Sequence, residues 1–485
     1  MFSGHQLQML VLSVAAVAGF YSYLRAIRRE SDPWIRRIIG IALPAKLVGT
    51  ALYYFIIQDV YGQGDANRYI RNGSDLAPVI RSGSLPDQAR EVGTPFMDFL
   101  AGVAFAAFGA SEIVGYLVFS MLSLTGMYLF FLAFRLGFPE GDHRRYAALI
   151  FLLPTMVFWP STIGKEPWLV FALGVASYGA ARAFRSSKIG YLLVALGTAG
   201  VFAIRPHMAA LLALSIGAAF AVRIRDKTTR VSLVGWVVSL AVITSGAVYV
   251  LVSFSEEESG AAADQEVSAT DRVRSSTDSI LERTTTMTTR GGSEFESRPV
   301  RSPIDLAHAL ATVPFRPFFF EAHNRQAQLA SLEGLVLLLL VLHSLPRMRN
   351  LWHWATRRAY VMLATTYTLG FVIAFSNVGN FGILTRQRAQ LIPFLIVLLC
   401  LPLTRRQEAA EEAAEVASAP RGLVPSRSGR PPVLVLAPPS PVAAPDGPVA
   451  ADTSQSGDSL AKFVEANPAG LDRRQLRKDR PEVEE

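Results

Sequence analysis

Cysteine is almost absent from this 485-residue sequence. Cys400 stands alone, so neither an internal disulfide nor a cysteine-based metal site can be assembled. Charge is scarce as well: Asp, Glu, Lys and Arg make up 18% of the chain, below what an ordinary soluble protein carries. Walker-type and dinucleotide-binding glycine patterns are missing, which argues against a nucleotide site and against ATP-driven transport. His5, His143, His308, His343 and His353 show no ligand spacing, so a histidine metal centre is not expected. The acidic residues neither require nor exclude a divalent ion.

What the chain has in abundance is apolar length. Hydrophobic residues make up 51% and the mean hydropathy is +0.31. They fall in runs of roughly 17 to 25 residues, long enough to cross about 30 Å of hydrocarbon as helices that satisfy their own backbone hydrogen bonds. The runs are continuous rather than alternating, which excludes a β-barrel reading. The sequence therefore predicts an all-α polytopic membrane protein with about eleven transmembrane helices (ten to twelve). They lie at 7–24, 38–58, 112–134, 146–160, 166–184, 189–204, 207–222, 231–253, 331–346, 359–376 and 389–403. A further apolar stretch, 95–109, reads equally as interfacial, re-entrant or spanning.

The formal charge of +8 is an orientation signal rather than a nucleic-acid signal. One alternate set of loops carries the basic clusters, among them Arg25, Arg28, Arg29, Arg36 and Arg37, then Arg135, Arg144 and Arg145, then Arg223, Arg225, Lys227 and Arg230. The short loops of the other set hold only Lys165, Arg205, Arg386 and Arg388. The positive-inside rule then puts the N-terminus outside and the C-terminus in the cytoplasm of a multi-pass plasma (inner) membrane protein. Residues 1–403 form the membrane domain, with large outer loops at 59–111 and 254–330, and 404–485 read as a disordered cytoplasmic tail rich in Pro and Ala. Within the second loop the acidic, Ser/Thr-rich half gives way to IDLAHALATVPFRPFFFEAHN, which reads as a helix lying on the bilayer. Membrane lipids are thus expected partners. The tail offers a contact for envelope-assembly proteins, and its LDRRQLRKDRPE stretch reads either as a solvated charge run or as a contact with anionic lipid. Residues 1–24 lack the basic start and cleavage site of a signal peptide.

Chemistry is expected on the outer face. DVYGQGDANRYIRNG follows the second span and places Asp59 and Asp65 at the bilayer edge, where partial desolvation suits a carboxylate to work as a general base. Asp65 is the first choice; the bland reading makes it the cap of a short helix starting at Ala66. Arg68 and Tyr69 stand in the same segment, Tyr69 with a ring that can stack on a sugar face. In FWPSTIGKEPW, Lys165 and Glu166 either hold a phosphate and supply a second acid, or snorkel and cap the next helix. The turn IRPHM adds Arg205 and His207, VPFRPFFF adds Arg316, and NVGNFGILTRQRAQ puts Arg386 and Arg388 in the last outer loop. Cations placed against the positive-inside bias are best explained by an anionic ligand, for which the arginine fork is suited. Lys46, within the second span, either snorkels, pairs with a carboxylate or lines a cavity.

GDANRY, the stretch GTPFMDFLAGVAFAAFGAS, the basic turn FRLGFPEGDHRRY and the segment LLPTMVFWPS follow one another in an order that resembles the C-type (GT-C) glycosyltransferases and, more loosely, the membrane polysaccharide polymerases. The resemblance covers about residues 40–225. It implies transfer of a sugar from a polyprenyl-phosphate-type carrier to a glycan or lipid acceptor on the non-cytoplasmic face, with the acid of the first outer loop falling on Asp65. GDANRY stands where many members have an adjacent acidic pair, and GKE where many have an Asp. Two other classes remain in play: a transporter or flippase of an anionic lipid-linked sugar, which predicts charge at mid-depth, and a non-catalytic envelope-assembly protein, which predicts dispersed outer cations.

Overall fold

The computed structural model describes residues 4–56, 65–225, 295, 298–322 and 325–403. Asp59, the expected span 231–253, the acidic stretch after it and the tail 404–485 lie outside the described residues. The chain divides into units Met1–Ala414 and Glu415–Glu485, and everything below belongs to the first. Among the described residues the secondary structure is helical, without strands.

Local chemistry sets most helix starts. Asp32 caps α2 (Pro33–Tyr54) by accepting from the amides of Trp34 and Ile35, with Pro33 in the first turn. Asp142 does the same for α6 (His143–Leu152) through the Arg145 amide. The expected span 146–160 is broken: Leu153, which precedes Pro154, is extended (φ −63°, ψ 130°), and a short α7 (Pro154–Phe158) follows. Proline disfavours helical geometry in the residue before it, which accounts for the break. The remaining helices in chain order are α1 (Gly4–Arg29), α3 (Asp65–Arg81), α4 (Thr94–Phe108), α5 (Glu112–Gly137), α8 (Lys165–Ala183), α9 (Lys188–Phe202) and α10 (Pro206–Arg225), placed before α6 and α7 or after them as their numbers run. Beyond the second gap come α11 (Pro303–Thr312), α12 (Arg325–Met348), α13 (Leu351–Arg357), α14 (Ala359–Phe375) and α15 (Phe381–Leu399).

Among the described residues, five helical stretches are long and apolar enough to cross a membrane: Leu7–Arg29, Glu112–Gly137, Pro206–Arg223, Ala327–Met348 and Phe381–Leu399. Their surfaces agree with that solvent. Along α1, Leu10, Val14, Val17 and Phe20 are exposed, and α12 exposes Leu329, Leu332, Leu335, Leu339, Leu342 and Leu345. Apolar stripes of that extent are sustainable only against lipid or another chain. This is a helical membrane protein.

The long helices alternate in direction, so their ends gather at two opposite ends of the bundle. One end is basic and extensively paired: Arg135 reaches Glu30 at 2.5 Å, Arg144 reaches Asp32 at 2.7 Å, Arg347 lies 3.5 Å from Asp142, and Arg358 meets Glu140. The other end collects the starts of α3, α4, α8, α10 and α15, as the contacts of the candidate site below show. The stretch 95–109, left open by sequence, does not cross between the two. The Gly93 amide, at the start of α4, donates to Ala203 O (2.9 Å), while near its end Ala106 O accepts from the side chain of Gln8 (3.4 Å). Both ends of α4 are therefore held at the same end of the bundle, and α4 lies across it with α3 packed alongside. Gly109, at φ 96°, lets the chain leave α4 in a conformation that favours glycine.

One tight crossing is that of α5 on α8, where Gly126 and Gly174 face each other. A Cβ at Gly174 would lie 2.9 Å from the Gly126 Cα, and backbone has nowhere to yield. Gly174→Val is expected to cost at least about 2 kcal/mol through overpacking and to lower the unfolding midpoint in detergent by several degrees. Gly19→Val on α1, where nothing lies within 4 Å, is the control and leaves the midpoint unchanged.

Candidate functional site

Five helix starts deliver the charged side chains of the site, each N-terminus contributing a partial positive charge of its own. Asp65, the first residue of α3, accepts from Arg386 Nη1 at 2.9 Å. Its side chain is 69% exposed and that of Arg386 is 34% exposed, so the pair is worth little as stabilisation, on the order of 1 kcal/mol or less. Glu166, in the first turn of α8, is buried and lies 3.5 Å from Arg205 Nη2, at the junction of α9 and α10. Arg205 Nη1 also donates to Gln387 Oε1 at 2.6 Å. Lys165 donates to Thr94 Oγ1 at 2.8 Å. Arg68 lies 3.6 Å from Asp98 on α4, which also accepts from Asn72 Nδ2 at 2.9 Å. Asp65, Arg68, Lys165, Glu166, Arg205 and Arg386 thus come together from segments up to 321 positions apart.

Tyr69 sits among them but differs from its expected role. It is only 3% exposed, so its ring offers no open face to a sugar. Its hydroxyl instead senses Asp65, Glu166 and Asp98. Burial first, and then these carboxylates, push its acidity well below that of an ordinary tyrosine, and it stays a hydrogen-bond donor. Lys165 is shifted the other way: burial, then the charge of Arg205, lowers its pKa from the usual lysine range.

Three expected members do not join. Arg386 and Arg388 were expected in a loop, but the Asn380 side chain accepts from the Ile383 amide at 3.1 Å and starts α15 at Phe381. Both arginines are then helical, and two residues on a helix turn by about 200°. Arg386 faces the site; Arg388, fully buried, points away and donates to the backbone carbonyl of Arg316. Its charge is offset by Glu333 on α12. Arg316 itself pairs with Glu321 at 3.0 Å and stacks over Phe295, 4.7 Å from the ring centre. His207 is exposed on the first turn of α10, beside Arg205 in sequence but outside the paired network.

Sequence reasoning missed Asp98, Thr94, Asn72 and Gln387. A signal existed for Asp98: it is a lone carboxylate within the apolar run GTPFMDFLAGVAFAAF, where a charge costs free energy unless something uses it. For Thr94, Asn72 and Gln387 no signal existed. Among the described residues no group of three His, Cys, Asp or Glu side chains is arranged to hold a metal ion. No protein family, characterised protein or solved structure matches the chain.

Chemically, the arrangement offers three acids, each with a guanidinium beside it, of which buried Asp98 keeps one oxygen without a donor, and four cations at the convergence of helix N-termini. Such a field favours an anion with several oxygens. The buried Glu166–Arg205 pair is also a stability element. Glu166→Ala is expected to destabilise by about 3 kcal/mol because it strands the arginine. In a double-mutant cycle with Arg205→Ala the two losses should fall well short of adding; strict additivity would show that the pair does not interact.

Proposed function

We propose that this protein is a membrane glycosyltransferase or polysaccharide polymerase. It takes a sugar from a polyprenyl-phosphate-type carrier and passes it to a glycan or lipid acceptor on the non-cytoplasmic face of the plasma (inner) membrane. In this reading the chain crosses the membrane about eleven times, the N-terminus is outside, the C-terminus is cytoplasmic, and the basic, densely paired end faces the cytoplasm. The site end then meets the lipid headgroups on the outer side.

One observation carries the reading: Lys165, Arg205, Arg386 and Arg68 converge with three carboxylates at one end of the bundle. Cations hold the leaving phosphate, and a carboxylate takes the proton of the acceptor hydroxyl. The same clustering speaks against a purely structural assembly role, which would leave these cations dispersed. Lys46, the charge in the second span, donates to the Met156 and Pro160 carbonyls at 3.1 and 2.9 Å. It is consumed by backbone and lines no path, which favours transfer over transport.

The test uses full-length protein in detergent with radiolabelled polyprenyl-phosphate sugars. Wild type is expected to release or transfer sugar, and Arg386→Ala to weaken carrier binding by roughly tenfold or more, the value of one charge-assisted contact. Binding without turnover under any acceptor would move the assignment to transport. Lys165 adds a pH signature. The ammonium attracts phosphate and its deprotonation removes that attraction, so carrier affinity should decline with rising pH earlier than an ordinary lysine would dictate. In Lys165→Arg the decline should vanish; its persistence there would assign it to another group.

A further inference from the structure

Asp98 is the one carboxylate of the candidate site, among the described residues, with a buried oxygen that has no hydrogen-bond donor. Its side chain is 6% exposed. Oδ2 accepts from Asn72 Nδ2 at 2.9 Å and lies 3.6 Å from Arg68 Nη2. Oδ1 is equally buried and has no hydrogen-bond partner. A buried carboxylate oxygen left without a donor is costly, so a protein retains one where a ligand or a proton will fill it. The other two acids, Asp65 beside Arg386 and Glu166 beside Arg205, leave no buried oxygen in that condition.

Its position fits a reacting group. Asp98 is one helical turn beyond Thr94, whose hydroxyl holds Lys165. Across the gap the Tyr69 hydroxyl senses Asp98, Asp65 and Glu166 together. Lys165, through Thr94, and Arg68, on Oδ2, bring two phosphate-binding cations to the same stretch of α4 as Asp98.

We propose that Asp98, rather than Asp65, is the general base, and that Asp65 is a positioning residue that holds Arg386 toward the site. The inference rests on the transferase reading. In the step it implies, Oδ1 accepts the proton of the acceptor hydroxyl as that oxygen bonds to the anomeric carbon. The anomeric C–O bond to phosphate breaks, its electron pair leaves with the phosphate, and Lys165 and Arg68 neutralise the charge that develops. The proton then passes from Asp98 to the departing phosphate or to water, which restores the carboxylate.

Asp98→Asn keeps the shape, and its amide oxygen can still accept from Asn72. Turnover should fall at least about 100-fold, as for loss of a general base, while carrier binding stays within about twofold of wild type. Asp65→Asn should retain turnover to within about tenfold and lose mainly carrier affinity, since its partner Arg386 is a binding group. Asp98→Glu and Asp98→Gln displace the group equally and differ only in proton acceptance, so they guard against a folding artefact. Glu at least tenfold more active than Gln supports the base; equal rates overturn it. Asp98→Asn turning over at near wild-type rate overturns this assignment alone, whereas wild type inert with every lipid-linked sugar overturns the transferase reading as well.

Discussion

A single buried ammonium fixes the part of the fold on which the site is built. Lys46 is wholly enclosed in α2, and its Nζ donates to Met156 O and Pro160 O. Those carbonyls are free because Pro160 brings no N–H to Met156 O and α7 stops after one turn. Ser123 reinforces the same point by donating to Pro160 O at 2.6 Å. Remove the ammonium, and Met156 O loses its side-chain donor while Pro160 O is left to Ser123 alone. The bend between α7 and α8 would lose its anchor, and with it the placement of Lys165 and Glu166.

From that bend the charge distribution follows. Helices that begin at one end of the bundle present N-termini and cations there, and the one acidic side chain each brings is matched across elements: Asp65 by Arg386, Glu166 by Arg205. The opposite end has more basic residues, yet they are spent on Glu30, Asp32, Asp142 and Glu140 and on carbonyls such as Leu401 O. The end with fewer cations is thus the one that gathers them, with three carboxylates, from segments far apart in the chain.

Much of this was legible in the sequence. Apolar runs located the helices, and the residues singled out at the loops, Asp65, Lys165, Glu166, Arg205 and Arg386, meet in three dimensions. The misses share a cause. A proline splits 146–160 because of its effect on Leu153, a local rule that a hydropathy reading does not weigh. Asn380 starts a helix eight residues before the apolar run that marked the span at 389, so Arg388 left the group it was assigned to. Asp98 was passed over inside 95–109, a stretch weighed only as interfacial, re-entrant or spanning, whereas the fold buries its carboxylate. The direction of α4 across the end of the bundle depends on Ala203 and Gln8, contacts that no local pattern encodes.

The capping of α15 by Asn380 also governs how this segment can change length. Residues lost or gained before Asn380 alter only the reach of a connection. One residue lost or gained between Asn380 and Arg386 would rotate everything downstream by about 100°. The guanidinium that meets Asp65 would swing away, and the buried Arg388 would be driven toward a different neighbour, although no residue type had changed. Between these two positions the spacing, more than the intervening residues Phe381 to Thr385, is what the architecture holds constant.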